Sequence, residues 1–161
     1  MLEPSYVDRL ETRSDDDLRA MKEECAAIET SLSYYRRLAQ ARIEILDAET
    51  ARRARGGSVE ELIAELPDIL AGGTSRAPAS QARLAEPDVP LVVIEWDDNR
   101  QHLVGDSTLA DLPGLDDARL GASRDELQVF ERELSDLRHR LHGVLDGIEH
   151  EIATRQAAAS G

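Results

Sequence analysis

From Asp15 to about residue 54 the chain contains neither proline nor glycine, and the stretch stops at the pair Gly56-Gly57. A run of that length without a breaker reads as one helix, roughly 60 Å long at 1.5 Å per residue. Ser14 is placed to cap its start, with Asp15, Asp16 and Asp17 in the first turn, where the helix dipole favours negative charge. Arg52, Arg53 and Arg55 stand at the other end, where cations are favoured. Leu18, Met21, Cys25, Ile28, Leu32, Tyr35 and Ala39 recur in steps of three and four; Arg42 interrupts the series and Leu46 resumes it. The spacing predicts a heptad seam along this helix.

A second segment carries the same rhythm. The stretch from Ser123 to Glu126, SRDE, has the spacing of a capping box, and Leu127, Phe130, Leu134, Leu137, Leu141, Val144 and Ile148 follow in steps of three and four. Gly143 and Gly147 inside it cost roughly 1 kcal/mol each relative to alanine, which suggests close helix packing or room for a ligand or partner. The tail RQAAASG is expected to fray. Between the two, SVEELIAELPDILAGG predicts a short amphipathic helix over about 59–70, bent or ended before Pro67. VPLVVIEW, DDNR and QHLV suggest either a small hairpin over about 90–104 or an apolar strip laid on another surface. The expected fold is therefore all-α. Residues 1–161 form a single helical-hairpin domain, an antiparallel two-helix coiled coil with long helices over about 15–54 and 124–155. Residues 56–122 are its partly irregular connector.

Composition narrows the function. Aromatic residues make up 3% of the chain and charged residues 32%, which suits a thin helical core rather than a thick globular one. A net charge of −14 argues against binding DNA directly or an anionic membrane, and fits a basic protein partner. The single Cys25 has no internal disulfide partner, and no cysteine–histidine set has zinc spacing. The N-terminal MLEPSYVDRLETRSDDD lacks a signal-peptide pattern, and no apolar run approaches roughly 18 residues, so a cytoplasmic location is expected. No glycine-rich phosphate loop, nucleophile–base pair or metal-binding carboxylate cluster is present, so the reading is of a protein that is not an enzyme, with no bound metal.

One polar pattern occurs twice. ETSLSYYRRLAQARIE, Glu29 to Glu44, matches ERELSDLRHRLHGVLD, Glu131 to Asp146, at one constant displacement. The pairs are Glu29/Glu131, Ser33/Ser135, Arg36/Arg138, Gln40/His142 and Glu44/Asp146. Steps of four, three, four and four place the five within about an 80° arc of a helix, a ladder flanking the seam. In an antiparallel pair a two-fold axis relates the ladders, with Arg36 and Arg138 expected near its centre and the acids further out. Such a surface suits a two-fold-symmetric ligand. Arginine can donate twice to guanine O6 and N7, a carboxylate can accept from guanine N1–H and N2–H2, and serine, glutamine and histidine can reach phosphate or ribose. Arg37, Arg42, Arg132 and Arg140 add charge near the ladders that could offset phosphates. Any one of these residues is an ordinary coiled-coil flank. The coincident set is less so, because Ser33 and Ser135 gain nothing there.

The twin pattern E-x3-S-x2-R-x3-[QH]-x3-[DE] resembles that of the cyclic-di-GMP-binding anti-sigma factors of actinobacteria, the RsiG family. The resemblance covers the two long helices. It implies an antiparallel coiled coil that binds a two-fold dimer of cyclic di-GMP, two molecules per site, through Glu29, Ser33, Arg36, Gln40, Glu44, Glu131, Ser135, Arg138, His142 and Asp146. It also implies a WhiG-type sigma factor as partner, bridged by the nucleotide, so that transcription of sporulation genes is repressed. Both motifs lie in one chain, so a monomer would complete the site and hold sigma one to one. His142 stands where the family pattern has glutamine and Glu44 where it has aspartate; Asp47, one turn on, could replace Glu44. The rival reading is an acidic coiled-coil adaptor that holds its partner without any nucleotide.

Overall fold

Ser14 starts the first long helix, α1 (Asp15–Arg55), as its sequence predicts. In the computed structural model, which describes residues 4–70, Arg100, Leu103 and 112–159, the Asp17 amide donates to Ser14 Oγ at 3.1 Å. The Ser14 amide in turn donates to Asp17 Oδ2 at 3.2 Å. These two bonds satisfy donors that a helix start otherwise leaves open, and they hold the Asp17 carboxyl below its usual range. At the far end Gly56 takes φ 67°, a left-handed conformation that a side chain would strain. From there the Gly56 amide bonds Arg53 O and the Gly57 amide bonds Arg52 O, each at 3.0 Å, closing the last turn.

The helix α2 (Val59–Leu70) runs through Pro67 to Leu70 rather than ending before it. Proline's fixed φ is helical, and in so short a helix it forfeits a single backbone bond. The second long helix, α3 (Asp117–Ala159), begins at Asp117 rather than about 124 and persists past the expected fraying point. Asp116 supplies its cap, accepting from the Arg119 amide at 2.8 Å, so the SRDE box lies inside the helix instead of starting it. The early start has a tertiary cause. Leu120, 2% exposed, adds one more rung to the seam. The hairpin expected over about 90–104 lies outside the described residues except for Arg100 and Leu103, which are helical.

Ion pairs fix the direction of packing. Asp15 pairs with Arg155 at 2.8 Å, Lys22 with Glu149 at 2.7 Å, Glu29 with Arg138 at 2.8 Å and Arg53 with Asp117 at 2.9 Å. Partner numbers fall as α1 numbers rise, so α1 and α3 are antiparallel. Their seam buries Leu18, Cys25, Leu32, Ala39 and Leu46 from α1 against Leu120, Leu127, Leu134, Leu141 and Ile148 from α3, all 3% exposed or less. Each of the two series advances by one heptad per rung, and burying one such leucine contributes roughly 1.5–3 kcal/mol. Cys25 is a free buried thiol whose pKa burial raises.

A third layer covers one flank of this pair. Arg42, 2% exposed, donates through Nη1 to the Leu103 carbonyl, and Arg100 grips Glu133 with bonds of 2.8 and 2.9 Å. The helix α2 packs on α1 and buries Leu62, and the hydroxyl of Tyr6, from the 3-10 turn Pro4–Val7, donates to Glu24 at 2.7 Å. Arg42 therefore does not lend its charge to the ladders; it lies in the seam series Ile28, Tyr35, Arg42, on the opposite side. Neither interior glycine is there for tight packing. A Cβ at Gly143 would meet nothing within 4 Å, and one at Gly147 would make ordinary contact with Leu10 at 3.8 Å.

Candidate functional site

On the flank of the seam away from Arg42, the two ladders interlock. Ser33 Oγ donates to Glu29 Oε1 at 2.8 Å, and Arg138 donates to that same oxygen through Nη2 at 2.8 Å and Nε at 3.2 Å. His142 Nε2 stands 3.9 Å from it. The counterpart residues repeat the arrangement around Glu131 Oε1, which accepts from Ser135 Oγ at 3.2 Å, Arg36 Nη1 at 3.3 Å and Gln40 Nε2 at 3.1 Å. Each glutamate is held by the serine of its own helix and by the arginine of the other; Gln40 adds a third bond to Glu131, while His142 only approaches Glu29. Glu44, half-buried, and Asp146, exposed, join no hydrogen bond or ion pair among the described residues. Asp47 is already paired with Arg124.

These reciprocal pairs locate the two-fold axis. The midpoints between Glu29 and Arg36 and between Glu131 and Arg138 fall at Leu32–Ser33 and Leu134–Ser135, so the serines flank the axis. The glutamate and arginine of each motif lie on either side of it. This corrects the expected order, with the arginines central and the acids outermost, because the buried Leu32 and Leu134 set the register.

The symmetry extends well beyond the ladders. Lys22–Glu149 has Arg124–Asp47 as its counterpart, and Arg53–Asp117 has Arg155–Asp15. Arg53 also donates to the carbonyls of Leu115 and Leu112 at 2.7 and 3.2 Å, while Arg155 donates to those of Arg13 and Leu10 at 2.8 and 2.9 Å. The C-terminal arginine of each long helix thus clasps the 3-10 turn that precedes the other, Leu112–Gly114 or Leu10–Thr12. By residue type alone these pairs do not stand out in the sequence. The displacement from Glu29 to Glu131 reveals them, since it also takes Asp15 to Asp117, Glu49 to Glu151 and Arg53 to Arg155.

A family model described as RsiG-like matches residues 4–70 and 106–161, which hold both copies of the repeat and α2. The chain belongs to the RsiG-like family. That family is one of anti-sigma factors, so the partner class it implies is a sigma factor. No curated protein matches the chain. Among the described residues no helix is long and apolar enough to cross a membrane.

In this RsiG-like chain the two halves of the site differ in grip. Burial pushes the Glu29 carboxyl up, but the hydrogen bonds from Arg138 and Ser33 and the charges of Arg138 and His142 outweigh it and hold the pKa below the usual carboxylate range. Across the axis Arg36 Nε is buried without a hydrogen-bond partner. Of the neighbouring arginines, Arg37, Arg132 and Arg140 are exposed. Helical geometry puts Arg140 on the flank away from the ladders. His139 and His150 are exposed surface residues, and Tyr35 packs against the core. Trp96 and His102 lie outside the described residues.

Proposed function

We propose that the ladder flank binds two molecules of cyclic di-GMP as a two-fold dimer, and that the loaded surface sequesters a WhiG-type sigma factor one to one, repressing its transcription. The observation that carries this reading is the reciprocal pairing of Glu29 with Arg138 and Glu131 with Arg36. Each half holds a carboxylate and a guanidinium within hydrogen-bond reach of one another. Those are the groups that complement the two edges of guanine, N1–H/N2–H2 and O6/N7. Guanine binding exchanges the Arg–Glu contacts for contacts to base, while Ser33, Ser135, Gln40 and His142 turn to phosphate or ribose. Glu44 and Asp146 flank the ligand further out. The nucleotide acts as a switch if it binds the protein pair more tightly than either protein alone.

Calorimetry with cyclic di-GMP, with and without the sigma factor, tests the reading. Arg36→Ala combined with Arg138→Ala should abolish nucleotide binding; unchanged binding would place the site elsewhere. One observation favours the rival adaptor reading: most ladder residues already satisfy one another without ligand, as a charge-paired flank would. Equal capture of sigma in nucleotide-free buffer would decide for the adaptor.

A further inference from the structure

The coiled coil presents nearly the same surface after a half-turn about its axis, yet a sigma factor has no such symmetry. A two-fold platform alone offers that partner two equivalent orientations, so something outside the repeat has to choose between them. The helix α2 belongs to neither copy. It also holds three of the four large hydrophobic side chains that stand exposed among the described residues: Val59 at 43%, Ile63 at 59% and Leu70 at 44%. At 100° per residue these three share one stripe, about 60–100° around from Leu62, which faces α1. The apolar face of the helix is thus wider than the part that packs on the core, and its outer edge stands exposed. Its remaining surface carries Glu60, Glu61, Glu65 and Asp68 and no cation.

We propose that this stripe is a docking site for the sigma factor, which meets it with an apolar helix ridge bordered by arginine or lysine, and that the contact fixes the orientation in which sigma sits on the two-fold platform. The proposal rests on the anti-sigma reading above. Apolar side chains at the centre supply affinity and the acidic border supplies steering and register, the division of labour found in charge-complementary interfaces. Because Ile63 projects away from α1, a change there leaves the seam and ladders untouched.

The experiment compares the full chain with Ile63→Glu and with Glu60→Lys/Glu61→Lys. Circular dichroism monitors helix content, and calorimetry monitors cyclic di-GMP and sigma binding separately. The proposal expects at least a tenfold loss of sigma affinity for Ile63→Glu, with helix content and nucleotide binding unchanged. It also expects a loss for the double lysine variant that shrinks as salt is raised. Sigma affinity within twofold of the parent overturns the docking site and leaves the anti-sigma reading standing. Failure of the parent chain itself to bind sigma overturns both. If Ile63→Glu instead only abolishes self-association of the chain, or only deprotects residues 71–99 in hydrogen exchange, the stripe is occupied by a second copy or by the connector, and the proposal falls.

Discussion

Arg138 holds Glu29 through two hydrogen bonds to one oxygen, at 2.8 and 3.2 Å, whereas its counterpart Arg36 touches Glu131 once, at 3.3 Å. Both pairs are three-quarters buried or nearly so, which makes the difference in grip matter more than it would on an exposed surface. Removing Arg138 leaves a half-buried carboxylate with Ser33 alone donating to it. Removing Arg36 leaves Glu131 with both Ser135 and Gln40. Arg138→Ala should therefore cost about 1–3 kcal/mol and Arg36→Ala less than about 1 kcal/mol in urea denaturation at neutral pH. Equal losses would show that the two halves are energetically equivalent.

Acid should expose the second consequence of these contacts. Glu49 is 2% exposed and bound by Arg52 at 2.6 and 2.7 Å and by Arg53 at 2.6 Å. The hydrogen bonds from Arg52 and Arg53 bring its carboxyl down to about 2 despite burial, and Glu29 is lowered as well. A depressed carboxyl binds fewer protons folded than unfolded. Its stabilisation is therefore complete above the ordinary glutamate value of about 4.3 and is lost as pH falls towards 2. The urea midpoint is expected to fall steadily across that window, and Glu49→Gln should flatten the slope while lowering stability at pH 7. A variant that keeps the parent's slope would assign the acid sensitivity to other groups.

How much of this was legible in the sequence depends on which interaction decides each feature. The caps and seam of α1 were legible because Ser14, the three aspartates and Gly56 act within a turn of their own position. The twin ladders were legible because a fixed displacement shows in the letters. The start of α3 was not. Gly121 and the SRDE spacing point locally to residue 124, and the early start is stabilised by Leu120 meeting α1, a contact that no local rule contains. The position of the axis likewise depends on how Leu32 and Leu134 settle against one another. Arg42 was misplaced by residue type alone, although its period with Ile28 and Tyr35 already put it on the other flank.

Gly143 gives a test of what does not matter. It lies within α3, and a Cβ there would meet no atom within 4 Å, so alanine should fit without displacement. Gly143→Ala is expected to stabilise the fold by up to about 1 kcal/mol, seen as a raised melting temperature. Helical geometry puts this position on the outer face, opposite the seam and about 60° beyond Asp146, so a methyl pointing to solvent there should leave nucleotide affinity unchanged. A loss of affinity would mean that the ligand reaches round to this side of the helix.

Arg42 is the point at which the two copies of the repeat part company. Its counterpart is Val144, and its guanidinium sits in the seam to bind the Leu103 carbonyl, with Arg100 and Glu133 making a second anchor nearby. A buried charge of this kind is often replaceable by an apolar residue without loss of stability, provided that the groups it served are not left buried and unpaired. Arg42→Val copies the counterpart residue and keeps the seam apolar. The coiled coil should then melt within a few degrees of the parent, while the segment around Leu103 loses its anchor and its amides exchange faster. If Arg42→Val instead unfolds α1 and α3 together, the arginine stabilises the pair itself, and the covering of this flank is not a separable layer.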